Sequence, residues 1–207
     1  YTGLSDGQHT FRVAAVDASG NLDPTPASST WTVDTTPPNT SIISGPTGTV
    51  KSNSASFSFS STEANSTFEC SLDGAAFSSC TSPQGYTGLS DGQHTFKVRA
   101  IGSNGSLDPT PASVTWTVDT TVPDTTITTP LSGTVNSKSA SFSFTSSEQG
   151  SRFECKLDAA AFKACTSPDK YNGLKDGQHT FQVRAIDAAG NVDPTPAINT
   201  WTVKTGK

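Results

Sequence analysis

Methionine is absent from all 207 positions, the first included, which points to a segment of a longer product. Basic residues are few: 13 Lys and Arg against 18 Asp and Glu leave a net charge of −5. A nucleic-acid partner calls for clustered cations, so none is expected. No apolar run approaches the ~18 residues that suggest a membrane span, and no signal-peptide pattern is present. Membrane insertion of this segment is therefore not expected, and any export signal lies outside it. Hydrophobic residues reach only 32% and aromatic residues 8%, while Ser, Thr, Gly and Pro are abundant. Such a composition supports small cores rather than one large one.

Catalytic signatures are missing as well. No Ser sits in a nucleophile elbow, no HExxH occurs, and no Gly-rich phosphate loop follows a strand. The chain reads as a protein without enzyme activity. Glu63 and Glu69 recur by position as Glu148 and Glu154. A carboxylate pair at roughly 5 to 10 Å can do glycosidic chemistry, but its repetition in small domains without a cleft argues against that use.

What the chain does have is repetition. "YTGLSDGQHTF" stands at 1 and at 86 and "YNGLKDGQHTF" at 171, so the spacing is 86 − 1 = 85 and 171 − 86 = 85. A fixed period outranks length as a guide to organisation. The register divides the chain into residues 1–36, which match only the last two strands of a unit, and two complete units, 37–121 and 122–207. An isolated hairpin is marginal in water. Residues 1–36 are thus expected to be the tail of a truncated repeat whose front lies upstream, covered by that front or by a neighbouring copy.

The 4 cysteines occupy matching places: Cys70 and Cys80 in "FECSLDGAAFSSC", Cys155 and Cys165 in "FECKLDAAAFKAC". One pair per unit with none left over reads as a disulfide in each, stapling neighbouring strands across a turn. The competing zinc reading lacks the usual CxxC spacing, and the lone His of each unit is remote. Disulfides imply an oxidising compartment.

Within a unit nearly every stretch alternates apolar and polar residues with period two, as half-buried strands do. "SASFSFSS" puts Phe57 and Phe59 on one face. "GQHTFKVRAI" points His94, Phe96, Val98 and Ala100 inward, and "SVTWTVD" does so for Val114, Trp116 and Val118. The Trp of each period, at 31, 116 and 201, is assigned to the core rather than to sugar stacking. About seven strands in 85 residues predict an all-β fold of tandem immunoglobulin-like β-sandwich domains. The joints "DTTPPNT" and "DTTVPDT" are short and Pro-containing, hence semi-rigid, so the array is predicted to be an extended rod. His9, His94 and His179 recur in "DGQHTF". They are read as structural corner residues that bond back to the backbone, as a Tyr does in the immunoglobulin plan. Asn39, Asn65 and Asn104 match the glycosylation triplet, a match common by chance in a Ser/Thr-rich chain.

"FECSLDG", "GLSDGQHTFKVRA", "DASGNLDPTPA" and "TWTVDTT" together resemble the bacterial immunoglobulin-like or fibronectin-III-like repeats of large secreted and cell-surface proteins. The resemblance covers the whole chain. It implies an extracellular or cell-surface stalk, filament segment or adhesin shaft, or else a carbohydrate-binding or spacer module attached to a secreted enzyme. Expected partners are upstream repeats or neighbouring copies, with a glycan or protein receptor outside this segment. Some large adhesins that this chain resembles carry calcium at their joints. The resemblance implies the same at the second joint, where Asp119, with Asp124 nearby, meets the turn "DAAGNVD" and its Asp187, Asn191 and Asp193. At the first joint Gly102 and Ser106 replace the first Asp and the Asn, so little or no binding is expected there. The alternative is that the Asp only caps its own hairpin turn.

Overall fold

A computed structural model describes residues 1–206, and among them there is strand but no helix. No helix is therefore long and apolar enough to cross a membrane. The first strands, β1 (Gly7–Val13) and β2 (Ala27–Val33), form a two-stranded antiparallel sheet. The next period holds β3 (Thr40–Ser44), β4 (Gly48–Val50), β5 (Ala55–Ser61), β6 (Thr67–Leu72), β7 (Ser78–Cys80), β8 (Gln84–Tyr86), β9 (Gly92–Ile101) and β10 (Ala112–Val118). They make one sheet in the order β4-β10-β9-β6-β7 and a second in the order β3-β5-β8. The last period holds β11 (Thr125–Ile127), β12 (Thr134–Val135), β13 (Ala140–Phe142), β14 (Phe144–Ser146), β15 (Arg152–Leu157), β16 (Lys163–Cys165), β17 (Asp169–Tyr171), β18 (Gly177–Ile186) and β19 (Ala197–Val203). Its large sheet, β12-β19-β18-β15-β16, repeats the earlier order, while the second layer is split into β11-β14 and β13-β17. The split falls at Ser143, whose N–H goes to Thr129 Oγ1 at 2.7 Å instead of into the ladder.

Contacts group the chain into two compact units. One comprises Tyr1–Gly45, Ser56–Gly85 and Thr95–Val114; the other comprises Pro46–Ala55, Tyr86–His94 and the chain from Thr115 onward. In the first unit Phe57 of β5 stacks on Phe96 of β9 with ring centroids 4.1 Å apart, and Phe59 meets Phe68 edge-on. The two strands belong to different sheets, so the rings fill the space between layers. Gly45 lacks a side chain for the same reason, since a Cβ there would lie 2.5 Å from the Phe57 ring. In the second unit Phe142 stacks on Phe181 at 4.3 Å and reaches Trp201 at 5.0 Å. Phe181, Val183, Trp201 and Val203 are all buried, as the period-two alternation requires. Each fully buried Phe or Val contributes roughly 1.5–3 kcal/mol, so a handful of residues stabilises each layer pair.

Cys70 on β6 is bonded to Cys80 on β7, and Cys155 on β15 to Cys165 on β16. The partners are neighbours in one sheet, because Phe68 stands opposite Cys80 and Phe153 opposite Cys165. The bridge therefore closes a hairpin and does not join the two layers. The turn inside the first hairpin is built by Asp73 and Gly74, both with positive φ (52° and 78°), and is closed by Ala75 N–H donating to Leu72 O at 2.9 Å. Two positive φ values suit the right-handed twist of the flanking strands, which favours Asp-Gly at such a site.

The fold is all-β, built of immunoglobulin-like sandwiches. The second period has eight short strands rather than about seven, and the last has nine because of the break at Ser143.

Candidate functional site

The chemistry that the fold concentrates lies at the end of β10 and the turns that meet it. After β18 the chain turns through Asp187 to Asn191, closed by a bridge between Ile186 and Val192. Asp187 holds the turn itself: Oδ1 accepts from Gly190 N at 2.7 Å and Asn191 N at 2.8 Å, and Oδ2 accepts from Asn191 Nδ2 at 2.8 Å. Gly190 has φ +90°, a conformation other side chains resist. The same Asn191 amide donates to the backbone oxygen of Asp119 at 2.8 Å, so the turn grips the residue that follows β10. Residues 17–21 form the same turn, with Asp17 accepting from Ser19 N, Asn21 N and Asn21 Nδ2, each at 2.8 Å. The Asp and Asn thus brace this hairpin turn in the first and last periods, while residues 102–106 close the same turn without them, Gly102 N–H donating to Ser106 O at 2.8 Å.

The carboxylates of Asp119, Glu148 and Asp187 converge, with one oxygen of each within 4.8 Å of the others. Asp187 is buried and the other two half-buried. Glu148 Oε1 is shielded from solvent and, among the described residues, accepts no hydrogen bond. Burial first, and then the negative charges of Asp119 and Asp187, push the Glu148 carboxyl above its ordinary range. An all-oxygen donor set with one orphaned buried oxygen fits a hard cation such as Ca²⁺. Asp119, Glu148 and Asp187 would hold it, and a bound cation would neutralise their mutual repulsion.

Of the residues singled out in the sequence, Asp119 and Asp187 are brought together, and Asn191 adjoins them through its amide nitrogen. Asp193 is placed elsewhere: it is 1% exposed, and its Oδ1 accepts from Thr195 N at 2.8 Å. Asp124 gives its N–H to Ser147 Oγ at 2.9 Å. Glu148 was noted only as a recurring carboxylate. Its 85-residue twin Glu63 has the same orphaned Oε1 and lies beside Gly102, the twin of Asp187. A Cβ on Gly102 would stand 2.5 Å from Glu63 Oε2, so the glutamate fills the room that a larger residue would need. The grip on the preceding strand survives there by another route, with Asn104 Nδ2 donating to Asp34 O at 2.8 Å.

A second polar device escaped the sequence reading. Asp91, in the turn before β9, accepts from Thr120 N and Oγ1 at 3.0 and 2.8 Å and from Thr121 Oγ1 at 2.9 Å. The Thr120 side-chain hydroxyl, above all, holds the Asp91 carboxyl below its ordinary range. Asp6 binds Thr35 and Thr36 in the same way, and Asp176 binds Thr205. The signal was the constant separation of Asp and Thr, 35 − 6 = 120 − 91 = 205 − 176 = 29.

The histidines lie where a backbone tether can form: Nε2 of His9, His94 and His179 donates to Ser5 O, Ser90 O and Lys175 O at 2.7, 2.8 and 2.8 Å. Glu69 and Glu154 accept from Arg99 and Arg184 at 2.7 and 2.6 Å, and each guanidinium also covers a Phe ring, at Phe77 and Phe162. Trp116 and Trp201 are each 2% exposed, whereas Trp31 is 36% exposed. Asn39, Asn65 and Asn104 are all exposed.

No protein family matches the chain, and no curated protein matches it. Among solved structures it is similar to fibronectin(III)-like modules of Clostridium thermocellum CbhA, at 21% identity and TM-score 0.49 over 80% of this chain and 94% of that one. It is also similar to a tetra-tandem repeat in the extending region of a large adhesion protein, at 20% identity and TM-score 0.33 over 99% of this chain and 58% of that one. A third is from a 1.5-MDa bacterial ice-binding adhesin, at 16% identity and TM-score 0.44 over 98% of this chain and 76% of that one.

Proposed function

We propose that the chain is a non-catalytic stretch of an exported tandem-repeat protein, divided at 1–36, 37–121 and 122–207, and that it serves as a stalk or adhesin shaft. The observation that carries this reading is the use to which polar side chains are put. Asn104 and Asn191 each take the carbonyl of the Asp that follows the preceding repeat's last strand. Asp91 ties the "DTT" that follows β10 to its own repeat. These groups steady a joint where an enzyme would keep them free for substrate. The two disulfides fit an extracellular setting. Inserting one further copy of residues 37–121 should lengthen the particle in solution scattering by about 30 Å, the span of a strand of ~9 residues. An unchanged maximum dimension would count against a shaft.

The carboxylate group supports a second element of this reading, a single calcium site at the second joint held by Asp119, Glu148 and Asp187. Calorimetric titration of the full chain with CaCl₂ should show one site, lost in Asp187→Ala and in Glu148→Gln. No binding, or binding that survives both substitutions, would defeat the calcium site and leave the shaft reading standing.

A further inference from the structure

Two Asn-Gly pairs occur in the chain, Asn104-Gly105 and Asn172-Gly173, and neither recurs in the other periods. The positions equivalent to Asn104 hold Ser19 and Ala189, and those equivalent to Asn172 hold Thr2 and Thr87. Asn is a chemically labile residue, and a Gly after it leaves the backbone nitrogen uncovered, since Gly has no side chain. That nitrogen can attack the side-chain carbonyl carbon of the Asn. The C–N bond of the side-chain amide breaks, ammonia departs and a five-membered succinimide closes; water then opens the ring to Asp or to isoaspartate. The balance is Asn plus water giving the acid plus ammonia, with no oxidant or reductant.

Both asparagines are exposed, yet the fold treats them differently. Asn172 stands in the loop after β17, and among the described residues its side chain makes no hydrogen bond. Asn104 is tied at both polar atoms of its side chain. Its Nδ2 donates to Asp34 O at 2.8 Å, and its Oδ1 accepts from Ser106 N at 2.8 Å and from the Ser106 hydroxyl. The nitrogen that would attack, Gly105 N, donates to Gly102 O at 2.9 Å. To reach the succinimide, the amide must rotate off Asp34 O and Gly105 N must leave Gly102 O.

We infer that Asn104 is a gated deamidation site: it is spared while its amide holds Asp34 O at the first joint, and it reacts with water when that grip opens. The change is one-way. The product carries an oxygen where Nδ2 stood, so two acceptors face each other at Asp34 O and the grip is lost. The new negative charge also lies close to Glu63, because a Cβ on Gly102 would stand 2.5 Å from Glu63 Oε2 and 2.9 Å from Asn104 Oδ1. Asn172 is the ungated reference within the same molecule. This inference rests on the grip at the first joint and needs neither the calcium site nor the shaft role.

The test incubates the full chain at physiological temperature and pH and follows Asp and isoaspartate at both sites by peptide mapping. Asn104 should convert at least ~10-fold more slowly than Asn172, about what two or three net hydrogen bonds withhold. In urea the two rates should converge, since the dipeptide is the same. Asp6→Ala releases Thr35 and Thr36, the residues after Asp34, from the carboxylate that holds them, and alters none of residues 102–106. It should speed reaction at Asn104 several-fold and leave Asn172 unchanged. Asn104→Asp, which makes the product directly, should raise hydrogen exchange over residues 34–40. Equal rates at the two sites in the folded chain would overturn the proposal, as would an Asn104 rate that Asp6→Ala does not change. Unaltered exchange over 34–40 in Asn104→Asp would show that the amide does not hold the joint, and would overturn it too.

Discussion

His179 illustrates how one side chain can be structural and still titrate. Its Nε2 donates to Lys175 O and its Nδ1 lies against Asp158 Oδ2, both at 2.8 Å, a geometry that suits the imidazolium, which donates from both ring nitrogens. The Lys175 carbonyl first, and then the Asp158 carboxylate, raise its pKa above the ordinary 6.5. A raised folded-state pKa means that stability from this group is fully present below the unfolded value and is lost as pH rises through the folded one. NMR titration of the His179 ring should give a midpoint above 6.5 that falls in Asp158→Asn; a midpoint unmoved by that substitution would show that Asp158 contributes nothing. Glu148 acts in the same direction by a different route. Its raised carboxyl pKa makes the folded state hold a proton longer, so without a cation stability declines as pH rises above the ordinary glutamate range. Asp108 is the opposite case. Burial opposes its charge, but hydrogen bonds from Thr40 and Thr110 outweigh burial and lower its pKa, so its contribution is lost as pH falls.

At the scale of the element, the hairpins β6–β7 and β15–β16 depend on their staples. The strands β7 and β16 are three residues each at the end of a five-stranded sheet, with little apolar surface of their own. Closing so short a loop stabilises by about 2 to 3 kcal/mol on the chain-entropy estimate. Replacing Cys155 and Cys165 together by Ser should cost that amount in denaturant unfolding of the last repeat and expose the amides of β16 to exchange first. Exchange that begins elsewhere would mean that the staple is not what holds this edge.

The strands were legible in the sequence because inward residues alternate with period two. His94, Phe96, Val98 and Ala100 are buried as that rule requires. Contacts such as Asp91 with Thr120, or Glu148 with Asp187, were not. They join residues 29 and 187 − 148 = 39 positions apart across separate turns. A repeat period shows which residues are equivalent, and closure through space decides which of them touch. For the same reason Asp187 could be placed at the joint from its turn motif, while the buried position of Asp193 beside Thr195 could not.

At the scale of the whole molecule, placing each disulfide inside one sheet has a consequence for load. When a repeat is pulled open from its ends, the residues between Cys70 and Cys80, a separation of 10 positions, stay looped behind the bridge and release no length. At roughly 3.3–3.6 Å per extended residue, that withholds about 30 to 35 Å of slack from every opened repeat. The same is true of Cys155 and Cys165. A reducing environment would return this hidden length, so the reach of an overstretched chain is set by the redox state of its surroundings.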